Sequence, residues 1–228
     1  MNETYPALTP LTGQHPGGEP LPGVSLYDVS VETRVSKGKG GVRQSDRSGF
    51  LFTHKGYSGP GFLDLSHYAV MGMERNGVKP KLTVNWIGKD VAFWEGALKS
   101  TTKGLVPNLL HRQGIPQRLC DALCRAANVP LDRRLSQIRK LEMKSLLEVL
   151  TRYELPSEGH QRYKKAEVTG GGVPLSELDC STMESRGLPG VYLCGEIVDV
   201  LRRIGGFNFY WAWLSGRLAG SSCRKSLL

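Results

Sequence analysis

The residues of this sequence best suited to chemistry lie in its last quarter. Gly195 and Glu196 close a short apolar run, Gly190-Val191-Tyr192-Leu193-Cys194-Gly195, which reads as a buried strand ending in glycine. Gly205 and Gly206 follow, and then a helix-forming segment over residues 207–219. Upstream, Gly170, Gly171 and Gly172 read as a permissive loop after a predicted strand over residues 166–169. A strand ending in glycine and an acid, followed by a glycine pair and a helix, has the parts of a flavin cradle. Glycine lets the chain turn without a side chain striking the ligand. The Glu196 carboxylate can accept hydrogen bonds from ribityl or ribose hydroxyls. The glycine pair brings backbone N–H groups and the positive end of a helix toward the ring, where reduced flavin carries negative charge near N1 and the C2 carbonyl. The same residues suit equally well a βα unit with a glycine-rich turn and no ligand.

The rest of the composition narrows the function classes. With 39% hydrophobic and 22% charged residues in 228, the chain can build an ordinary soluble core. No apolar run approaches the roughly 18–20 residues that span a bilayer. The opening twenty residues lack the basic start and apolar stretch of a signal peptide, so the expected location is cytoplasmic. A net charge of +9 invites a nucleic-acid reading. Basic residues gather at Arg133, Arg134, Arg139, Lys140 and Lys144, and again at Arg202 and Arg203. No nucleic-acid motif accompanies them and aromatics are not interleaved with the charge. The expectation is a solvated helix face for the first cluster and no specific nucleic-acid partner. Five cysteines, Cys120, Cys124, Cys180, Cys194 and Cys223, form no C-x-x-C pair, and only His111 lies near the first two. They read as buried, reduced and structural, with no metal site.

The elements that must position the chemistry are legible from periodicity. The first twenty residues, rich in proline and glycine, read as an extended lead-in. Residues 26–35 suggest a strand leading into a Ser-Lys-Gly-Lys-Gly-Gly turn over 36–41; residues 49–53 suggest another, and 81–87 alternate cleanly. Ser58-Gly59-Pro60 looks like a helix start. Pro116 opens a helix carrying Leu119, Leu123 and Ala126 on one side. A stronger one runs over 141–153 with Met143, Leu146, Leu147, Leu150 and Tyr153 in phase, stopped by Pro156. In the last helix Phe207, Trp211, Leu214 and Leu218 form one stripe, and Ala212, Gly216 and Gly220 leave another face small enough for close approach to a sheet.

Several ordered segments carry a resemblance. Val168 to Val173, Thr182-Met183-Glu184-Ser185, Leu188 to Glu196, and Gly205-Gly206-Phe207-Asn208 are similar, in that order, to VTAGGV, TMES, PGLYFAGE and GGYN or GGFN of the BaiN-like NAD(P)/FAD-dependent oxidoreductases, also described as aminoacetone-oxidase-like flavoproteins. Leu51-Phe52-Thr53-His54 with Gly56, Ser58, Gly59 and Pro60 resembles the family's LFTHxGxSGP signature. Pro6-Ala7-Leu8 with Pro10-Leu11 resembles PALVPL, and Leu21 to Val29 resembles LxGLSLxNV, so the likeness covers essentially the whole chain. Two departures stand out. The G-x-G-x-x-G turn that holds the ADP half of FAD has no match, since Gly38, Gly40 and Gly41 have the wrong spacing. Leu201-Arg202 stands where many members have Asp-Gly; this arginine either compensates charge near the cofactor or marks a subgroup.

The resemblance implies an α+β fold: a β-rich insert domain with a small helical bundle, plus the carboxy-terminal part of a Rossmann-like FAD-binding domain. Its expected boundaries are a lead-in over 1–20, the β-rich insert over 21–104, its helical part over 105–156, and the return strand with the second half of the FAD-binding domain over 157–228. It implies a flavoprotein oxidoreductase lacking its amino-terminal Rossmann segment, with FAD as cofactor, NAD(P)H as possible reductant and a small-molecule substrate. The isolated chain is then expected to be inactive, and a remnant or basic binding module without flavin is the alternative. Gly195 and Glu196 are assigned to the ribityl side, Gly205, Gly206, Phe207 and Asn208 to the ring, and Gly170, Gly171 and Gly172 to the adjoining loop. His54 would lie between insert and flavin and is the candidate for catalysis; a lone histidine is more often structural.

Overall fold

The computed structural model describes residues 1–34, 41–45, 48–75, 81–100 and 102–226. Its elements, in chain order, are β1 (Asn2–Ala7), β2 (Leu11–Thr12), β3 (Ser25–Arg34), β4 (Val42–Gln44), β5 (Ser48–Thr53), β6 (Gly56–Ser58), α1 (Pro60–Arg75), β7 (Leu82–Asn85), α2 (Val91–Lys99), α3 (Val106–Arg112), α4 (Gln117–Ala126), α5 (Lys140–Arg152), β8 (Tyr153–Leu155), β9 (Gly159–His160), β10 (Val168–Gly172), β11 (Leu178–Asp179), β12 (Glu184–Ser185) and α6 (Phe207–Ser226). Turn residues 35–40 lie outside the described residues. The chain forms two compact units, one from Met1–Thr9 with Gln161–Leu228 and the other from Pro10–His160. The lead-in is therefore divided between them. Its first part is β1, whose partner β10 lies some 165 positions away, where no local pattern reports the pairing.

The Pro10–His160 unit is an antiparallel sheet in the order β8-β7-β3-β5-β6-β2-β9, with β4 added to β3. Helices cover it, and the fold class is the mixed one expected. The core follows from strand alternation: Phe50 and Phe52 on β5 turn inward together with ring centres 5.0 Å apart, and meet Tyr57, Phe62 and Trp86 at centroid distances of 5.6–6.0 Å. Trp86 also donates to the Val149 carbonyl at 3.0 Å, which ties β7 to α5. Two glycines of the LFTHxGxSGP-like segment are explained by close approach. A Cβ at Gly56 would lie 2.3 Å from the Leu11 carbonyl oxygen, and one at Gly59 would lie 2.7 Å from that of Gly49.

The helical part begins earlier than expected, with α2, and α5 gives way to the strand β8 at Tyr153 before Pro156 is reached. Pairing of β8 with β7 overrides the helical periodicity there. Glu142 anchors the start of α5, accepting from the Arg139 N–H at 2.9 Å and from the half-buried Arg133 guanidinium at 2.8 Å. Those bonds hold its carboxyl below the ordinary range. Arg133 is thus a paired structural cation, while Arg134, Arg139, Lys140 and Lys144 are exposed as expected. Cys120 and Cys124 are buried on α4, and desolvation raises both thiols, Cys124 to about 12, so neither is a ready nucleophile. The other three cysteines depart from expectation: Cys180 and Cys194 are exposed and Cys223 is intermediate.

His67 on α1 gives this unit a pH signature. Burial lowers its pKa to about 4 against a backbone hydrogen bond that acts the other way, and its Nδ1 has no partner among the described residues. The folded imidazole stays neutral where the unfolded one protonates. Stability is therefore fully present above the unfolded value and falls as pH drops from about 6.5 toward 4, by roughly 3 kcal/mol in all. Urea midpoints measured between pH 7 and 4.5 should fall steeply for the native chain and less for His67→Gln. Parallel slopes would refute the assignment.

Candidate functional site

The candidate site lies in the unit built from Met1–Thr9 and Gln161–Leu228. Its frame is β10, which carries Gly170, Gly171 and Gly172 within the strand and not in a loop. One edge of β10 pairs with β1, placing Tyr5 opposite Gly170 and Asn2 opposite Gly172. Its other edge is closed by the segment 195–199. Glu196 accepts from the Thr169 N–H and Asp199 from the Gly171 N–H at 3.2 Å. The Val173 N–H reaches the Ile197 carbonyl at 2.8 Å, and the Asp199 N–H returns to the Val173 carbonyl at the same distance. Two carboxylates three residues apart thus clip a turn to a strand edge.

This packing explains the glycine triplet. A Cβ at Gly170 would lie 2.2 Å from the Tyr5 ring, one at Gly171 2.1 Å from the Glu3 carbonyl oxygen, and one at Gly172 2.4 Å from that of Ile197. Gly171 and Gly172 also hold positive φ values of 83° and 108°. All three are buried against the chain's own atoms, so the loop-lining role expected of them is replaced by a packing role.

The expected strand over residues 190–195 is likewise absent: a single bridge joins Tyr192 to Glu184, and Val191 is exposed. Gly195 instead starts a short 3-10 turn through Ile197 with φ of 75°. Two residues of α6 grip it. Ser215 Oγ accepts from the Gly195 N–H at 2.9 Å, and the Trp211 indole donates to the Gly195 carbonyl at 3.1 Å. Ser215 is buried, and sequence reasoning missed it because a serine inside an apolar helix carries no signal of its own. Opposite Gly195, Ala212 is close enough that a glycine Cβ would lie 3.8 Å away, so the small face of α6 approaches this turn and not a sheet.

At the start of α6, Gly205 and Gly206 hold φ values of 118° and 85°. A Cβ on Gly206 would meet nothing within 4 Å, so the backbone there is open to approach. Asn208 faces inward to its own loop: its Oδ1 accepts from the Arg202 N–H and its Nδ2 donates to the Arg202 carbonyl, each at 2.9 Å. It fixes the loop, and both polar atoms of its side chain are engaged. Phe207 is exposed, with the Arg203 guanidinium 5.0 Å from its ring centre. A cavity of about 520 Å³ opens here, lined by Leu201, Arg202, Arg203, Phe207, Tyr210, Trp211 and Leu214. Its apolar walls with two arginines suit a planar, partly anionic ligand. Glu196 is exposed, with one carboxylate oxygen taken up by Thr169. His54 belongs to the other unit, exposed in the turn between β5 and β6.

The mixed α/β frame carries a carboxylate after a positive-φ glycine and a glycine pair leading a twenty-residue helix, the kinds of parts that a Rossmann-like domain sets beside its ligand. The HI0933-like protein Rossmann domain family matches residues 19–222, and the chain belongs to this family of FAD-binding oxidoreductases. The chain is 34% identical to a ribosomal RNA dihydrouridine synthase of Escherichia coli over 93% of its own length, and 33% identical over 72% to one of Haemophilus influenzae. It is 32% identical, over 48%, to a 3-dehydro-bile acid delta(4,6)-reductase of Clostridium scindens. It spans 50%, 39% and 27% of those three relatives. No helix among the described residues is long and apolar enough to cross a membrane.

Proposed function

We propose that this chain supplies the flavin side of an FAD-dependent reductase that saturates a carbon–carbon double bond in a uridine of RNA. The observation that supports the cofactor reading is the junction of Gly195, Glu196, Gly205 and Gly206. There the Gly206 backbone is open at the start of α6, Gly195, Gly205 and Gly206 hold positive φ values, and the exposed Glu196 carboxylate follows Gly195 in the turn that α6 grips. These residues fit FAD, which when bound supplies hydride chemistry. Glu196 would accept from ribityl hydroxyls through its free oxygen, and the first N–H groups of α6 would offset negative charge at the ring. Asn208 acts indirectly, by holding the loop that carries Arg202 and Arg203. Contacts to the pyrophosphate, which need a G-x-G-x-x-G turn, come in this reading from the part of the relatives' length that the chain does not span. NAD(P)H is the reductant, in keeping with a cytoplasmic location.

The RNA-borne substrate rests on the two ribosomal RNA relatives and on the charge of +9, which favours phosphate. A small organic substrate, with closer kinship to the BaiN-like branch, is the second reading, favoured by the bile acid reductase. For the test, the chain is combined with the unmatched part of the Escherichia coli relative. FAD titration should show weak binding by the chain alone and firm, sub-micromolar binding by the combination. With NADPH and unmodified ribosomal RNA, mass spectrometry should find uridine gaining two hydrogens. Turnover of an unsaturated bile acid alone would move the assignment to the second reading, and a combination that takes up no flavin would refute both.

A further inference from the structure

The outer face of α6 is built to be covered. Residues 204–216 contain no charged side chain, and Phe209, Tyr210 and Trp213 are 77%, 64% and 78% exposed. Of the whole helix, the buried residues are Ser215 and Ala219, and Ala219 packs with Leu178, Met183 and Val198 in a small core. An exposed apolar patch of this kind marks an interaction surface. In the same unit β10 has β1 as its one strand partner among the described residues, its other edge being closed by the segment 195–199. A Rossmann domain has an open sheet with helices packed on both faces. The chain matches that family almost throughout, yet spans half of its Escherichia coli relative.

We infer that the Phe209–Tyr210–Trp213 face of α6 is the seat of a complementary polypeptide segment, the remainder of the same FAD-binding domain, presenting an uncharged, apolar surface. The inference rests on the flavin-domain reading but concerns assembly, which is measured without flavin. The full chain is mixed, as apoprotein, with the unmatched part of the Escherichia coli relative as a separate polypeptide, and mass is followed by light scattering during gel filtration.

A one-to-one complex is expected. Phe209→Glu with Trp213→Glu should weaken it at least a hundredfold, and the milder Trp213→Gln should weaken it about tenfold. Because both side chains are exposed, the circular dichroism and thermal transition of the chain alone should not move. Leu141→Glu, at an equally exposed apolar position on α5, should leave assembly unchanged. The inference is overturned by failure to associate, by a complex indifferent to these substitutions, or by a homodimer of the chain that they disperse, which would make a second copy the occupant. A complex that forms as described but takes up no FAD would uphold this surface and remove the cofactor reading instead.

Discussion

Glu196→Ala, in the flavin-loaded combination, is expected to lower FAD affinity roughly ten- to a hundredfold, the equivalent of about 1.5–3 kcal/mol for a lost hydrogen bond to a charged group. The Thr169 N–H fixes one carboxylate oxygen and thereby aims the other, on an exposed side chain next to the positive-φ Gly195. Glu196→Gln retains an acceptor for Thr169 and should lose distinctly less. Because the Thr169 bond also clips the turn to β10, thermal unfolding must run beside the flavin-to-protein ratio after gel filtration, and affinity should fall further than stability accounts for. Glu184 cannot serve as a control, because it accepts from the Gly190 N–H at 2.7 Å and pins its own turn. Glu177 is exposed on the same unit, and Glu177→Ala should leave flavin unchanged. Full flavin retention by Glu196→Ala would remove the cradle from Gly195 and Glu196.

Gly171→Ala should be the most damaging small substitution in this unit. Its Cβ would sit 2.1 Å from the Glu3 carbonyl oxygen, a backbone atom that cannot step aside, and φ of 83° is unfavourable for alanine. The conformation costs about 1–2 kcal/mol and the overlap about 1–3 kcal/mol, large against a core as small as Leu178, Met183, Val198 and Ala219. Denaturation followed by the fluorescence of Trp211 and Trp213, with Trp86 and Trp94 replaced by phenylalanine, should show the unit unfolding at markedly lower denaturant. Gly187 has nothing within 4 Å of its Cβ position and no positive φ, so Gly187→Ala should be close to neutral. If Gly171→Ala kept its stability and lost only flavin, the triplet would be a ligand loop after all.

The sequence by itself determined whatever depends on neighbours a few residues apart. The strands β3, β5 and β7 and the helices α1, α4 and α5 were legible because one face of each is buried, and burial imposes a period of two or of about 3.6. The glycine pair at Gly205 and Gly206 and the carboxylate of Glu196 were likewise visible as residue types, and the cofactor role proposed for them builds on that. What only the tertiary structure decided depends on partners far away in the chain. The glycine triplet is a strand because β1 lies against it, and the expected strand at 190–195 is a turn because Trp211 and Ser215 grip Gly195 from α6. The stripe expected on α6 failed in part, since Phe207 and Leu214 are exposed while Ser215 and Ala219 are buried. Residues 207–214 are almost uniformly apolar, so periodicity there cannot choose the inner face; the packing of Ala219 with Met183 and Val198 does so.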